Sequence, residues 1–292
     1  MDLNLTLFDA QTVGTVLIQG LLAFVFIGGL WALVDKFTHF NDYDEIVVNK
    51  NWRYLVQRIG MLLAQTGGIM ACFSLSGKWS SVGIMALGSA WVTIVLMAIY
   101  FLIERVLGRR TRQQDSHMDN MGVSLAKASA YLVVGFVLNG SLSGSAPDPT
   151  TAIAATVIFT LLGLVSVPIG IYLHNRGLSY NLTKEAREGK LPAALELSGI
   201  LLALGIILRN AIAGDFVGWA PGLVGFGITL GIGWLLLYAY RVIAGKIVFH
   251  HCNVNNAQRE DAVGVSALLA VLLPTIALIV SMVVTPIAGV LA

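Results

Sequence analysis

The chain contains four copies of a unit made of two apolar stretches, and the copies follow one another at a spacing of about seventy residues. The second stretch of each unit begins close to a residue that we call the register point. The four register points are Asn51, Asn120, Lys190 and Ala262, separated by 69, 70 and 72 residues. Gly60 and Gly199 each lie nine residues after their register point, and Asp119 and Asp261 each lie one residue before theirs. A fixed internal period is typical of repeat architectures, so the sequence predicts a tandem array of hairpins.

The composition places every copy of this unit in a membrane. Hydrophobic residues make up 57% of the chain and charged residues only 12%, whereas soluble domains carry about 25% charged residues. Stretches of about 20 apolar residues match the hydrocarbon thickness of a bilayer. Eight such stretches are present, at residues 11–34, 54–76, 82–104, 121–143, 151–173, 193–213, 222–245 and 263–285. We therefore expect an all-α integral membrane protein, surrounded by the lipid bilayer, with eight transmembrane helices in four tandem hairpins. Two similar four-helix halves are expected at residues 1–146 and 147–292.

Basic residues are distributed unequally between the connections. Fifteen of the eighteen Lys and Arg residues lie in or beside the first, third, fifth and seventh connections. Because basic residues concentrate on the cytoplasmic side of membrane proteins, this asymmetry predicts that these four connections are cytoplasmic and that both termini lie outside. In the bacterial inner (plasma) membrane, where we expect this chain, both termini would lie in the periplasm. Asp2 and Asp9 stand where a signal peptide would carry positive charge, so we expect the first apolar stretch to be retained as a helix.

Short motifs around the register points resemble a known family. The run Glu188 to Leu202 (EGKLPAALELSGILL), with echoes at 119–124 (DNMGVS) and 261–266 (DAVGVS), is similar to the acidic-x-Asn-x-Ala-x-Ala signature of the YjfL-like membrane proteins, domain of unknown function 350. Lys190 and Ala262 stand where that signature has Asn. The resemblance implies a pair of transmembrane helices, often in tandem, without an established biochemical activity. It also implies an indirect link to phage-shock-type envelope proteins and to enzymes resembling polyamine-modifying ligases.

Three charged residues lie inside predicted helices at nearly the same depth. Arg58 and Lys127 each lie seven residues beyond their register point, and Glu196 lies one residue short of that level. A charge at mid-membrane costs about 2.5 to 3.5 kcal/mol on insertion scales. Either the basic side chains extend back to the cytoplasmic headgroups, or the three residues line a pathway for an ion or small charged solute. The shorter side chain of Glu196 favours a paired or hydrated site. Arg209, near the outer end of its helix, is expected to form a salt bridge with Asp215.

A second set of polar residues marks the ends of the first helix of each hairpin. Each lies sixteen residues before its register point, and the set comprises Asp35, Glu104, His174 and Lys246. If the four hairpins surround a common axis, these residues form a charged cytoplasmic mouth. The alternative is that they are solvated helix ends.

The residues at and near the register points also have a structural interpretation. An acidic residue at the start of a helix accepts hydrogen bonds from free amide groups, and small residues allow membrane helices to approach closely. On this basis we expect structural roles for Asn51, Gly60, Asp119, Asn120, Lys190, Gly199 and Asp261.

Other functional classes find little support in the sequence. The basic clusters flank membrane spans, so nucleic-acid binding is not expected. His250, His251 and Cys252 are adjacent and do not supply a four-ligand zinc site by themselves. No metalloprotease, serine-hydrolase or P-loop motif is present, so we expect neither an enzyme nor a metal or other cofactor. Two functions stay open: a channel or carrier for an ion or small charged solute, and a non-transporting scaffold that recruits a cytoplasmic stress protein in an envelope-stress or polyamine-related system. A homo-oligomer is compatible with both.

Overall fold

The structure, a computed structural model, describes residues 10–37, 42–107, 121–178, 180–248 and 263–291. Within these residues the regular structure is helical. The helices are α1 (Ala10–Phe37), α2 (Trp52–Met70), α3 (Trp79–Leu107), α4 (Met121–Leu142), α5 (Pro149–Arg176), α6 (Leu182–Arg187), α7 (Leu191–Ile212), α8 (Trp219–Val248) and α9 (Val263–Leu291), with a one-turn π-helix (Asp44–Val48) before α2.

The predicted all-α membrane fold is confirmed. Eight of the described helices are long, and seven of these are both long and apolar enough to cross a membrane. The exception is α2, which has 19 residues and carries Arg53, Gln57, Arg58 and Gln65. The second helices of the hairpins, α2, α4, α7 and α9, each begin one residue after a register point. The repeat in the sequence therefore marks the starts of these four helices.

The second helices of the hairpins form an inner row in the order α2, α4, α7, α9. Helix α4 packs extensively on both α2 and α7, and α7 packs as extensively on α9. In α4 and α7, 72% and 78% of the most apolar stretch is buried, against 11% in α1. The flanking helices α1, α3, α5 and α8 lie against this row. Among the described residues no contact of similar extent joins α9 to α2, so the inner helices form a row and not a ring.

Close backbone contacts hold the inner row together. A Cβ atom added to Gly60 of α2 would stand 2.6 Å from Cα of Ala128 in α4. The second half repeats this contact, because a Cβ on Gly199 of α7 would stand 2.6 Å from Cα of Ala270 in α9. Membrane helices associate through such small residues because lipid provides no hydrophobic driving force between them.

The two halves meet along α4 and α7. A Cβ on Gly140 of α4 would stand 2.9 Å from the carbonyl oxygen of Arg209 in α7. The apolar residues Val133 and Val137 of α4 belong to the core that α5, α7, α8 and α9 form, whereas Val134 and Leu138 belong to the core of the first half. Helix α4 therefore contributes to both cores. The division into domains at 1–146 and 147–292 stays a prediction.

Two local features differ from the expected spans. Helix α2 ends at Met70 rather than near residue 76, because the following segment bonds to α1: Gln19 donates to the Ser74 carbonyl at 2.9 Å and accepts from the Ser74 amide at 3.0 Å. The connection between α5 and α7 contains the short helix α6. Asn181 caps α6, and its Leu182 and Ala186 are buried.

Candidate functional site

Three buried charges of α2, α4 and α7, namely Arg58, Lys127 and Glu196, are each paired with residues near the same end of the bundle, the one that the proposed orientation makes cytoplasmic. We call the three groups the Arg58 cluster (Asp35, Asp42, Tyr54 and Arg58), the Lys127 pair (Glu104 and Lys127) and the Glu196 cluster (His174, Tyr180, Glu196 and Arg241). All three have the same core geometry, in which a residue late in a flanking helix contacts a residue two turns into the next inner helix.

The Arg58 cluster holds a guanidinium between two carboxylates. Nη2 of Arg58 lies 2.9 Å from Oδ1 of Asp35 and 2.6 Å from Oδ1 of Asp42. Nε of Arg58 donates to the same Asp42 oxygen at 3.0 Å, and the Tyr54 hydroxyl also donates to it. The other Asp42 oxygen, Oδ2, is buried and has no hydrogen-bond partner among the described residues. Three donors thus reach Oδ1 of Asp42, whereas Oδ2 of the same carboxylate receives none from the described residues.

Aromatic rings enclose the same guanidinium. Its central carbon lies 4.9 Å from the ring centroid of Tyr54 and 5.8 Å from that of Trp31, within the range of a cation–π interaction. Arg58 is only 4% exposed. The side chain is therefore held inside the bundle rather than extended to the surroundings.

The Lys127 pair is simpler. Nζ of Lys127 lies 2.8 Å from Oε1 of Glu104. Lys127 is 3% exposed, whereas the Glu104 side chain is 35% exposed. One turn deeper on the same two helices, the rings of Tyr100 and Tyr131 stack with centroids 6.4 Å apart. The ammonium group is thus buried against a carboxylate that is open on one side.

The Glu196 cluster reverses the positions of acid and base. Oε1 of Glu196 forms an ion pair with Nη2 of Arg241, and Oε2 accepts a hydrogen bond from the Tyr180 hydroxyl at 2.7 Å. Nε2 of His174 lies 3.7 Å from Oε1 of Glu196. Glu196 itself is fully buried. Burial raises the pKa of Tyr180, which lies in the connection before α6, so its phenol stays protonated and donates to the carboxylate.

The fourth hairpin contributes differently from the other three. At the depth of Arg58 and Lys127, its inner helix carries the buried residue Leu269. Its flanking helix α8 supplies Arg241, which reaches Glu196 on the third hairpin. The fourth hairpin therefore provides a base to its neighbour.

Sequence reasoning named both sets of residues, Arg58, Lys127 and Glu196 in one and Asp35, Glu104 and His174 in the other, but it did not predict that they pair. It missed Asp42, Tyr54, Tyr180 and Arg241. Tyr54 lies one turn before Arg58 on the same helix face, and Arg241 lies inside a predicted span, so both positions carried a signal. Asp42 and Tyr180 lie in connections, where the repeat gives no register.

Several predicted residues fall outside what the structure describes. These are Asp119, Asn120, Asp261, His250, His251 and Cys252, together with the side chain of Lys246. Asn51 caps α2, where its side chain accepts a hydrogen bond from the Tyr54 amide at 3.2 Å, and Lys190 occupies the equivalent position of α7 without a side-chain cap. Among the described residues no group of three or more His, Cys, Asp or Glu is arranged to hold a metal ion.

The expected salt bridge between Arg209 and Asp215 is wrong. Arg209 donates to Oδ1 of Asn139 at 2.6 Å instead, and Asn139 in turn donates to the Gly67 carbonyl at 2.7 Å. Asp215 accepts from the hydroxyl and the amide of Ser145, both at 2.7 Å. These hydrogen bonds lower the pKa of Asp215. Polar groups on α4 and on the connection after it satisfy both residues, because the two halves meet there.

Comparisons with known proteins show a twofold repeat, in which each copy spans two of the hairpins. The family model described as Domain of Unknown Function (DUF350) matches the chain twice, at residues 7–142 and 149–284. The chain is 21% identical over 177 residues to a UPF0719 transmembrane protein of Aquifex aeolicus (strain VF5), an alignment that covers 60% of this chain and 66% of that relative, just under two thirds of its length. No solved structure matches.

Proposed function

The chain belongs to the DUF350 family of membrane proteins, and from that premise we propose that it moves an ion or small charged solute across the membrane by way of the Arg58 cluster, the Lys127 pair and the Glu196 cluster. The proposal treats Lys127, Glu196 and Arg58 as the charges that the solute meets. Asp35, Glu104, His174 and Lys246 are proposed to form the cytoplasmic approach.

The observation that carries this proposal is the burial of three charges at one depth. Arg58, Lys127 and Glu196 are 4%, 3% and 0% exposed. A fold does not need such residues, because replacing a buried ion pair by apolar side chains of similar size is often neutral or stabilising. Ionisable residues within membrane spans commonly mark ion and substrate pathways. Three of them at repeated positions therefore favour a function that uses their charge.

The packing limits where a pathway can run. The inner helices touch at backbone distance, so no solute passes between α2 and α4 or between α7 and α9. The Arg58 cluster and the Lys127 pair are accessible through their carboxylates on the flanking helices, because the side chains of Asp35 and Glu104 are 33% and 35% exposed. A solute would approach along α1 and α3 and compete with these carboxylates for Arg58 or Lys127. An anion would replace the carboxylate, and a cation would bind the carboxylate that is released.

The test is flux through vesicles that contain the purified protein, with common cations, anions and polyamines as probes. The variant Glu104→Leu/Lys127→Leu removes both charges together, so no unpaired charge stays buried. We expect it to insert and fold as the wild type does and to lose flux. Lys127→Arg separates the two interpretations of Lys127: a residue that only extends to the headgroups tolerates Arg with full flux, whereas a pathway residue in this narrow contact does not.

A matched control uses an ion pair outside the membrane. Lys184 and Glu188 form an exposed pair in the connection that contains α6, at 3.9 Å. Lys184→Leu/Glu188→Leu should leave flux unchanged. Equal flux in the Glu104→Leu/Lys127→Leu variant and the wild type would refute the proposed role of the pair.

A second candidate function is a membrane scaffold for a cytoplasmic stress protein. The observation that favours it is the same tight inner row, because the helices leave no open channel along their contacts. A wild-type protein that folds in vesicles and moves none of the probe solutes would support the scaffold and contradict transport. Self-association into a homo-oligomer stays a prediction under both functions.

The proposed orientation places both termini in the periplasm of an inner-membrane protein, on the basis of the asymmetric Lys and Arg distribution. A reporter cysteine at Gln114, in the third connection, tests it in a variant whose native Cys72 and Cys252 are replaced by Ser. A membrane-impermeant thiol reagent applied from the periplasm should leave this cysteine unlabelled. Labelling before the membrane is opened would reverse the orientation.

A further inference from the structure

The Arg58 cluster differs from the other two groups in its formal charge. It contains two carboxylates and one guanidinium, and both carboxylates contact the same guanidinium nitrogen. The Lys127 pair has one carboxylate and one ammonium group, and the Glu196 cluster has one carboxylate, one guanidinium and one imidazole. Only the Arg58 cluster therefore has more acids than bases among its described residues.

Within the described ranges, no second base contacts this cluster. Arg58 is the one described cation that forms an ion pair with Asp35 or Asp42. Tyr54 donates a hydrogen bond, Tyr100 of α3 lies within electrostatic range of both carboxylates, and Glu104 of α3 is paired with Lys127. Lys36 is exposed next to Asp35 on α1 and makes no described contact with either carboxylate. The extra negative charge is thus uncompensated by any group that the structure describes.

The extra negative charge can be placed at Oδ2 of Asp42. Oδ2 is buried and receives no hydrogen bond, although three donors reach Oδ1 of the same carboxylate. A buried charged oxygen without a donor is strongly unfavourable. A bound hydrogen on Oδ2 removes the charge and turns the oxygen into a donor. Two carboxylates that share one site commonly retain a proton between them.

We propose that Asp35 and Asp42 form a binding site for one exchangeable proton, which the pair retains at neutral pH with Arg58 as the fixed counter-charge. A metal cation fits the site poorly, because only two carboxylates are present and the guanidinium already occupies the space between them. Asp35 is one-third exposed and provides the route by which the proton exchanges. The site does not depend on whether the chain moves a solute.

The test is the infrared carbonyl stretch of a protonated carboxylic acid, recorded on the full-length protein in lipid nanodiscs. At neutral pH the wild type should show one such band, which disappears reversibly as the pH is raised. Asp42→Asn and Asp35→Asn should each lose the band, because one carboxylate and one guanidinium then balance. Glu104→Gln is the matched control: it removes a carboxylate from a balanced pair and should retain the band.

Stability provides a second measurement in case a variant folds poorly. Asn is close in shape to a protonated Asp, so Asp42→Asn should keep the thermal unfolding temperature of the wild type at neutral pH. Absence of the band in folded wild-type protein would overturn the proposal, as would its persistence in both Asn variants. Loss of the wild-type band on addition of Na⁺ or Ca²⁺ at constant pH would overturn it in favour of a metal cation. None of these measurements reads flux, so a failed transport assay leaves their outcome intact.

Discussion

The Arg58 cluster of the first half and the Glu196 cluster of the second half occupy equivalent depths but draw on different parts of the chain. The Arg58 cluster is built within the first hairpin, from α1, α2 and the connection between them. The Glu196 cluster joins two hairpins, because Arg241 reaches it from α8. The same position in the repeat therefore stabilises a single hairpin in the first half and joins two neighbouring hairpins in the second half.

The largest expected effect tests this difference at Glu196. Glu196→Leu leaves Arg241 buried without its carboxylate, and removing one partner of a buried ion pair typically lowers the free energy of unfolding by about 3 to 5 kcal/mol. The double variant Glu196→Leu/Arg241→Leu should recover most of this loss. Denaturant unfolding in detergent micelles, followed by circular dichroism, measures both. A double variant as unstable as Glu196→Leu would show that Arg241 is not the partner that matters.

The inner row should respond equally in the two halves. Gly60→Ala and Gly199→Ala each place a methyl group against the backbone of the next inner helix, and overpacking of this kind costs about 1 to 3 kcal/mol. Gly67→Ala in α2 is the control, because nothing lies within 4 Å of the added atom. It should be neutral or stabilising. Unequal losses at Gly60 and Gly199, measured by the same unfolding assay, would show that the two contacts are not equivalent.

A smaller effect on stability is expected for the Lys127 pair, whose carboxylate is partly exposed. Glu104→Gln removes a carboxylate that is 35% exposed, so the remaining Lys127 ammonium can gain solvation from that side. We expect a clearly smaller loss of stability than for Glu196→Leu. A loss as large as that of Glu196→Leu would mean that the pair is closed in the folded protein.

The smallest effect concerns an exposed carboxylate at the start of the second half. Asp148 caps α5, and hydrogen bonds from Thr150 and Thr151 lower its pKa from 3.8 to about 2. Because the folded-state pKa is depressed, this stabilisation is fully present above about pH 4, decreases below it and is lost as the pH falls through 2. Asp148→Ala should lower the thermal unfolding temperature slightly at pH 7 and by a clearly smaller amount at pH 2. The same difference at both pH values would indicate that the contribution does not come from the ionised carboxylate.

The sequence repeat was sufficient to predict the hairpins but not their arrangement. The starts of the second helices could be predicted, because each lies one residue after a register point. The buried charges could also be predicted, because each interrupts an otherwise apolar stretch. The period does not say which hairpins touch. The arrangement of the inner helices in a row could not be predicted, because it follows from contacts such as that of Gly60 with Ala128, which are seen only in the three-dimensional structure.

The residues of the candidate site could likewise be predicted only in part. Asp35 and Arg58 are 23 residues apart, as are Glu104 and Lys127, so the two sets of polar positions already pair by their spacing within a hairpin. Asp42 could not be found from the sequence, because a connection has no fixed register. The partner of Arg241 could not be found either, since it lies on another hairpin.

The shared helix α4 has a consequence for how the protein responds to dilution. Its two faces belong to different cores, so a half that ended after α4 would expose an apolar face that needs a partner. If that partner were a separate molecule, the pairing would weaken as the protein became scarce in the membrane. Placing both halves on one polypeptide makes the encounter intramolecular, at a fixed effective concentration. The covalent link therefore makes assembly of the two halves independent of how much protein the cell produces.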